Sequence, residues 1–403
     1  MHQTALTMKN YLLIVLSLFS STSFAQSWVA KTDVPQGKHH PITFALNGKG
    51  YSITGTDSIG QATDDVYQYD PITNTWNILP DFPGMARSFG IGTTANGKAY
   101  FGFGATNTAY LKDFWSFDPD NGTYTQLASC DCSSRRHPAM ISIGDNIYVG
   151  LGNDEFSDKK DWWVYSIKNN VWTQIADLPG PARHHPYMFN AGGQLYAGLG
   201  HSGPTIYRDW YKLDTALNTW TQMNQFPGEG RVAGTQFNMN GFGFILSGDG
   251  DNHNYMDTGE MWRYNPADDS WLQFTPHPGK SRWAPGSFVI NNQVFFLGGV
   301  NRFTNTFPKD FVSFDMSAAT LEVEKEQLEN IYFYPNPANN IISWEYNEAI
   351  IQVTLINSIG QRVASIPKPA NKMDVSTMKN GVYFLQFYSR NGIIKTSKAI
   401  IQH

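Results

Sequence analysis

The chain repeats itself with a period that leaves few folds open. Trp28, Trp76, Tyr124, Trp172 and Trp220 stand forty-eight residues apart, and Trp271 follows after fifty-one. An acid keeps the same beat at Asp65, Asp113, Asp161, Asp209, Glu260 and Asp310, and a glycine keeps it at Gly55, Gly104, Gly152, Gly200, Gly248 and Gly299. The long fifth step traces to extra residues in "SGDGDNHNYMDTGE". Within one unit, "RSFGIGTTANGKAYFGFG…KDFWSFDPDNGTYTQL" holds four short runs rich in β-branched and aromatic residues, divided by turn signals such as Asn96-Gly97. Long helix formers are scarce, while aromatics reach 14% and glycines number 36, so the chain reads as all-β. One such unit is a small twisted sheet with two apolar faces that it cannot bury alone, so the units must stack around an axis.

Four strands per unit of this length is the signature of a β-propeller blade. The residues resemble the kelch family. A Gly pair follows the second strand in "FFLGGV", and Tyr and Trp flank a turn in "YDPITNTW" (Tyr69–Trp76) and "YNPADDSW" (Tyr264–Trp271). The resemblance covers residues 27–316, with G-x-G more often than the Gly doublet, as in "FGFG" and "VGLG". Six acidic markers imply six blades in a propeller spanning 26–316. The sixth unit lacks a Trp after Asp315, and Trp28 in "QSWVA" is the orphan that supplies it. Residues 26–31 are therefore expected to form the outer strand of the last blade and close the ring, since an open ring would expose sheet edges.

The two ends read as addresses. "MKNYLLIVLSLFSSTSFAQ" has one lysine, a short apolar run and small residues before Gln26, which predicts a signal peptide over 1–25. Its apolar run is too short to span a bilayer, and no other transmembrane candidate follows. A charged linker over 317–330 leads into 331–403, where alternating strands and turns predict a small Ig-like β-sandwich. "YPNPANNII", "NSIGQRV", "NGVYFLQF" and "KTSKAIIQ" in that region resemble the type A C-terminal sorting domain of the type IX secretion system. The resemblance implies that the type IX machinery is a partner, and that the protein is secreted or held on the outer-membrane surface of a Gram-negative cell. Cys130 and Cys132 in "SCDCSS" are the only cysteines; export permits a disulfide, and two free thiols are the alternative. The formal net charge of −5, with no basic block, argues against nucleic acid as a partner.

In a repeat protein, what recurs in every unit most often serves the unit, and what varies serves something else. The turn leading into each blade reads Lys38-His39-His40-Pro41, Arg87-Ser88-Phe89-Gly90, Arg135-Arg136-His137-Pro138, Arg183-His184-His185-Pro186, Arg231-Val232-Ala233-Gly234 and Arg282-Trp283-Ala284-Pro285. The first position is always basic, and each unit supplies one acid before its third strand. A ring of six structural pairs is expected, with Arg favoured for its bidentate geometry. The two middle positions vary. With the loops after the repeated glycines they place His39, His40, Phe89, Arg136, His137, His184, His185, His201, Asp249, Trp283 and Arg302 on one face, with Asp154, Glu155, Asp251 and His253 nearby. These residues are the candidate ligand site, at the channel mouth where loops from every blade converge.

No metal and no cofactor are expected. Zinc ligands must lie within about 3–4 Å of one another, whereas His40 and His185 come from blades facing each other across the channel. A compact site of His40, His137 and His185 is therefore disfavoured, while a pair drawn from His137, His184, His185 and His201 stays open. "DGDN" at 249–252 only partly matches a calcium loop. The leading reading is a monomeric recognition module for a glycan or polar peptide. The alternatives are an epimerase or mutarotase resembling the N-acetylneuraminate epimerases, and an adhesion module without a pocket. A copper oxidase of galactose-oxidase type lacks its ligand constellation here.

Overall fold

The computed structural model describes residues 27–317, 332–344, 350, 352–367, 371–389 and 392–403. The expected signal peptide and the linker past Ser317 lie outside the described residues. Between Val29 and Asp315 the chain forms six four-stranded antiparallel sheets. In the first, Ile42–Leu46, Lys49–Thr56, Ala62–Asp70 and Thr75–Leu79 pair in chain order. The next four sheets repeat that meander. In the sixth, Trp283–Ile290, Gln293–Val300 and Phe311–Asp315 are completed by Val29–Lys31, with Val29 opposite Ser313 and Lys31 opposite Phe311. The first strands sit side by side in a closed cycle: Ile42–Leu46, Ile91–Ala95, Ala139–Ile143, Tyr187–Ala191, Thr235–Met239, Trp283–Ile290, then Ile42–Leu46 again. This arrangement is a β-propeller.

Burial follows the radius. The second strands are apolar on both faces, as in Asn146–Gly150, because each is sandwiched between neighbouring sheets. The fourth strands, such as Thr123–Leu127, alternate toward solvent. The described residues hold one apolar cluster at each of the six sheet boundaries. Between the third and fourth sheets Tyr148, Trp162, Met188, Leu195 and Leu213 meet; between the sixth and first, Tyr69, Phe288, Phe295 and Phe311 do.

The periodic tryptophans staple adjacent sheets. Trp76 Nε1 donates to Thr32 O (3.0 Å), Trp172 to Ala128 O (2.7 Å) and Trp220 to Ala176 O (2.9 Å). Trp28 donates to Thr275 O (3.3 Å) and packs against Phe296, Phe314 and His277, so it fills the position left vacant after Asp315. The periodic glycines link the sheets nearer the axis. The N–H groups of Gly55, Gly104, Gly152, Gly200, Gly248 and Gly299 donate to the carbonyls of Arg87, Arg135, Arg183, Arg231, Arg282 and Lys38, at 2.7–3.0 Å. Each link runs to the next sheet, and the last returns to the first. Gly104 has φ 85°, and a Cβ there would lie 2.2 Å from Ser88 O, so only glycine fits.

The six pairs of base and acid are present. Arg87 grips Asp113 with 2.8 and 2.7 Å hydrogen bonds, and Arg135 grips Asp161 at 2.9 Å twice. Arg183–Asp209, Arg231–Glu260 and Arg282–Asp310 follow at 2.5, 2.7 and 2.5 Å, and Lys38 contacts Asp65. All six bases are buried. Burial raises the Asp113 and Asp161 pKa values, but the hydrogen bonds and charges of Arg87 and Arg135 outweigh it and leave both carboxyls below their ordinary value. Cys130 and Cys132 are buried and joined as a disulfide.

Near the C-terminus, Phe333–Tyr334, Ile341–Trp344 and Lys372–Asp374 form one sheet. Arg362–Pro367, Gln352–Asn357, Gly381–Ser389 and Gly392–Ile401 form a second. Ile342, Trp344, Val353, Leu355, Leu385, Phe387 and Ile401 share one core. No helix among the described residues is long and apolar enough to cross a membrane.

Candidate functional site

The turn before each first strand places its two variable residues by backbone geometry. The second residue pairs with the residue that follows the repeated glycine: His39 with Thr56, Ser88 with Ala105, Arg136 with Asn153, His184 with His201 and Val232 with Asp249. The third residue is left-handed in every sheet, with φ 50° at His40, 60° at Phe89, 52° at His137, 50° at His185, 52° at Ala233 and 52° at Ala284. Non-glycine residues adopt this region at a cost of order 1–3 kcal/mol, so six in phase mark a conformation imposed by the repeat. His137 N–H donates to Phe89 O (2.9 Å) and His40 N–H to Ala284 O (2.9 Å), which ties neighbouring turns together.

These third residues form an inner ring of His40, Phe89, His137, His185, Ala233 and Ala284. Here the structure corrects the expectation that opposing histidines stay apart. His40 Nε2 lies 3.0 Å from His185 Nε2, and the His137 and His185 ring centroids are 3.7 Å apart. The reason is steric: the left-handed turn aims these side chains at the axis, and the two alanines leave the ring unfilled on one side.

Seven histidines form one continuous cluster. His39 Nδ1 meets His40 Nδ1 (2.6 Å), and His185 Nδ1 meets His201 Nε2 (3.3 Å). The His184 and His201 rings are 3.8 Å apart, and His253 lies 4.6 Å from His201. Burial, followed by the neighbouring imidazoles and Arg136, holds His40, His137 and His185 well below the usual histidine pKa. Burial also lowers His39 and His201, each to about 4. Ligand nitrogens of His40, His137 and His185 lie within 4.8 Å of one another, as do those of His184, His185 and His201.

Above this cluster opens a cavity of about 860 Å³, walled by Phe89, Arg136, His137, His184, His185, His201, His253, Trp283, Arg302 and Phe307. His40 lines a smaller cavity of about 140 Å³ further down the channel. His39 lines a side cavity of about 450 Å³ with Phe89 and Arg136. Asp249 is buried behind the wall and ion-paired with Arg302, so it is not on the mouth surface. Burial raises the Asp249 carboxyl above its ordinary value, and the Arg302 charge pulls it partly back. Asp251 pairs with Arg208 at 2.7 Å and accepts from Gly230 N–H, so both carboxylates of the calcium-like stretch are committed elsewhere.

Some contributors escaped the sequence pattern. Asp158, rather than Asp154 or Glu155, holds His184, at 2.6 Å; Asp154 is tied to Lys159 and to its own turn. Burial raises Asp158, but hydrogen bonds from His184 and Ser202 leave it below its ordinary value. The Arg136 guanidinium lies over the Tyr110 ring at 4.4 Å and over the Phe89 ring at 5.3 Å. Tyr110 and Asp158 share a signal: each lies in a loop after the repeated glycine and bridges back to the residue that follows it.

The fold and this mouth define a β-propeller protein whose loops converge on an imidazole-rich pocket with Arg136 and Arg302 in its wall. A kelch motif model matches residues 45–83, and a secretion system C-terminal sorting domain model matches residues 332–402. An N-acetylneuraminate epimerase of Yersinia enterocolitica is 32% identical over 99 residues, which is 23% of this chain and 25% of that protein. The match thus spans about a quarter of that relative. The solved structure described as "Structure of YjhT" aligns with TM-score 0.58 and 14% identity, over 70% of this chain and 96% of that one. The chain thus has a β-propeller fold with a kelch motif in it, followed by a secretion-system C-terminal sorting domain.

Proposed function

We propose that this is an exported six-bladed propeller that binds a glycan or polar peptide at the channel mouth, and that acidic sugars are the preferred class. The signal peptide occupies 1–25, the propeller 26–316, the linker 317–330 and an Ig-like sandwich 331–403, which hands the chain to the secretion machinery. The protein works as a monomer, secreted or held on the outer-membrane surface. One observation carries the ligand class: the mouth cavity combines the guanidinium groups of Arg136 and Arg302 with the aromatic faces of Phe89, Trp283 and Phe307. Guanidinium forks suit a carboxylate, and aromatic faces suit the apolar side of a sugar ring. A glycan array followed by calorimetry with N-acetylneuraminate tests this. Binding that weakens in Arg136→Ala supports the reading, and indifference to every acidic glycan refutes it.

A second reading is an epimerase or mutarotase acting on an acidic sugar, favoured by the similarity to an N-acetylneuraminate epimerase over 99 residues. Proton NMR of anomer exchange separates the two. Exchange faster than in buffer establishes catalysis, and saturable binding without acceleration leaves the recognition module.

A further inference from the structure

We propose that His40, His137 and His185 form a binding site for a divalent transition-metal ion of the zinc class, at the base of the mouth cavity. The site depends on where the protons of the histidine cluster lie, and not on whether a glycan binds above.

Carbonyl and amide oxygens only accept hydrogen bonds, which fixes several tautomers. Asn153 donates its amide N–H to Asp154 O (3.4 Å), so its Oδ1 faces His137 Nδ1 at 3.2 Å. His137 therefore carries its proton on Nδ1, and its Nε2 is a bare lone pair. That Nε2 is buried and has no hydrogen-bond partner. His201 Nδ1 lies 3.2 Å from Gly203 O and must donate to it, which leaves its Nε2 to accept. His185 Nδ1, 3.3 Å away, must then donate to His201, so His185 Nε2 is a second lone pair. His40 Nε2 sits 3.0 Å from it. His40 can place its proton on either nitrogen, because His39 Nδ1 faces its other nitrogen at 2.6 Å and can donate or accept.

Two lone pairs are thus fixed on neighbouring rings, His137 Nε2 without a donor and His185 Nε2 facing His40 Nε2, and a third is available by a tautomer shift at His40 that moves its proton from Nε2 to Nδ1. Burying an acceptor without a donor is costly, and a cation is the ligand that satisfies several acceptors at once. Three neutral imidazoles match the nitrogen donors that zinc-class ions prefer, with the ligating atoms already within 4.8 Å. Each ring is supported from behind by His39, Asn153 or His201, as metal-bound histidines commonly are. The nearby positive charge of Arg136 opposes the ion, and water or a ligand oxygen would complete the coordination set.

The test uses untagged mature protein, stripped with chelator and titrated with Zn²⁺ against a chromogenic competitor. One equivalent should bind, and His40→Ala, His137→Ala and His185→Ala should each weaken it by more than the ~10–100-fold expected of a lost supporting contact. Asn153→Ala, which leaves every ligand in place, should cost ~10–100-fold, with a melting curve confirming each fold. His184→Ala should change affinity little. The proposal is overturned if no stoichiometric Zn²⁺ binds. It is equally overturned if binding survives loss of all three histidines, or if the losses fall on His184 and spare His40 and His137.

Discussion

Replacing Arg87 with methionine removes every polar contact of the guanidinium while keeping most of the side-chain length. Arg87 is fully buried and donates to both oxygens of Asp113 and to the carbonyls of Met85 (3.2 Å) and Phe103 (3.3 Å). Without it, Asp113 keeps only the 2.7 Å bond from Trp115 Nε1 among its side-chain donors. Removing one partner of a buried pair typically costs about 3–5 kcal/mol. The Asp113 side chain retains 13% exposure, so the low end, about 3 kcal/mol, is expected. For a propeller of about 290 residues, at ~2.1 cal/mol/K per residue, that is roughly 5 °C in Tm. Tryptophan fluorescence is a suitable assay, since of the twelve tryptophans only Trp344 lies in the C-terminal sheets. The double variant Arg87→Met/Asp113→Leu removes the stranded charge as well and should recover most of the loss. If the single variant melts within a degree of the parent, or the double variant is worse than the single, the ring of pairs does not hold the blades.

Three further outcomes are expected. Trp28→Ala should cost about 2–3 kcal/mol, comparable to Trp76→Ala, because both indoles staple neighbouring sheets; an unchanged urea midpoint would count against the N-terminal strand as a structural element. Stability should fall as pH drops below about 6.5, because histidines of the unfolded chain take up protons near that value. His40, His137 and His185 stay neutral in the fold far below it, and His39 and His201 do so to about 4. Below about pH 4 a second loss begins, because the unfolded chain's carboxylates take up protons there while Asp113 and Asp161, depressed in the fold, stay ionised to lower pH; a urea midpoint flat from pH 7 to 5 would contradict the histidine part. Arg302→Ala should raise the Asp249 carboxyl further and weaken an acidic glycan about tenfold or more, read by calorimetry, as fits the loss of one charge-assisted hydrogen bond.

The repeat made much of this fold readable. Residues that recur every forty-eight positions do so because each sheet boundary needs the same staple, pair and glycine, and the missing Trp after Asp315 pointed to Trp28. The variable positions announced the face they occupy, and the structure brings Arg136, His137, His184, His185, His201, Trp283 and Arg302 to one cavity. The spacing across the ring was not readable. It depends on a left-handed backbone at His40 and His185 and on the alanines at 233 and 284, and neither His nor Ala encodes that conformation. The choice of Asp158 over Asp154 likewise turns on which loop carboxylate folds back, and a run of loop acids gives no direction.

The link from Gly299 to Lys38 is chemically the same as the other five sheet-to-sheet links. Where the chain begins and ends is thus independent of how the ring is held. Joining Asp315 to Trp28 through a short connector and opening the chain in a different outer-face loop would leave all six links intact. A circularly permuted propeller built this way has every reason to close, and the histidine cluster would then be assembled from a new chain order around an unchanged axis.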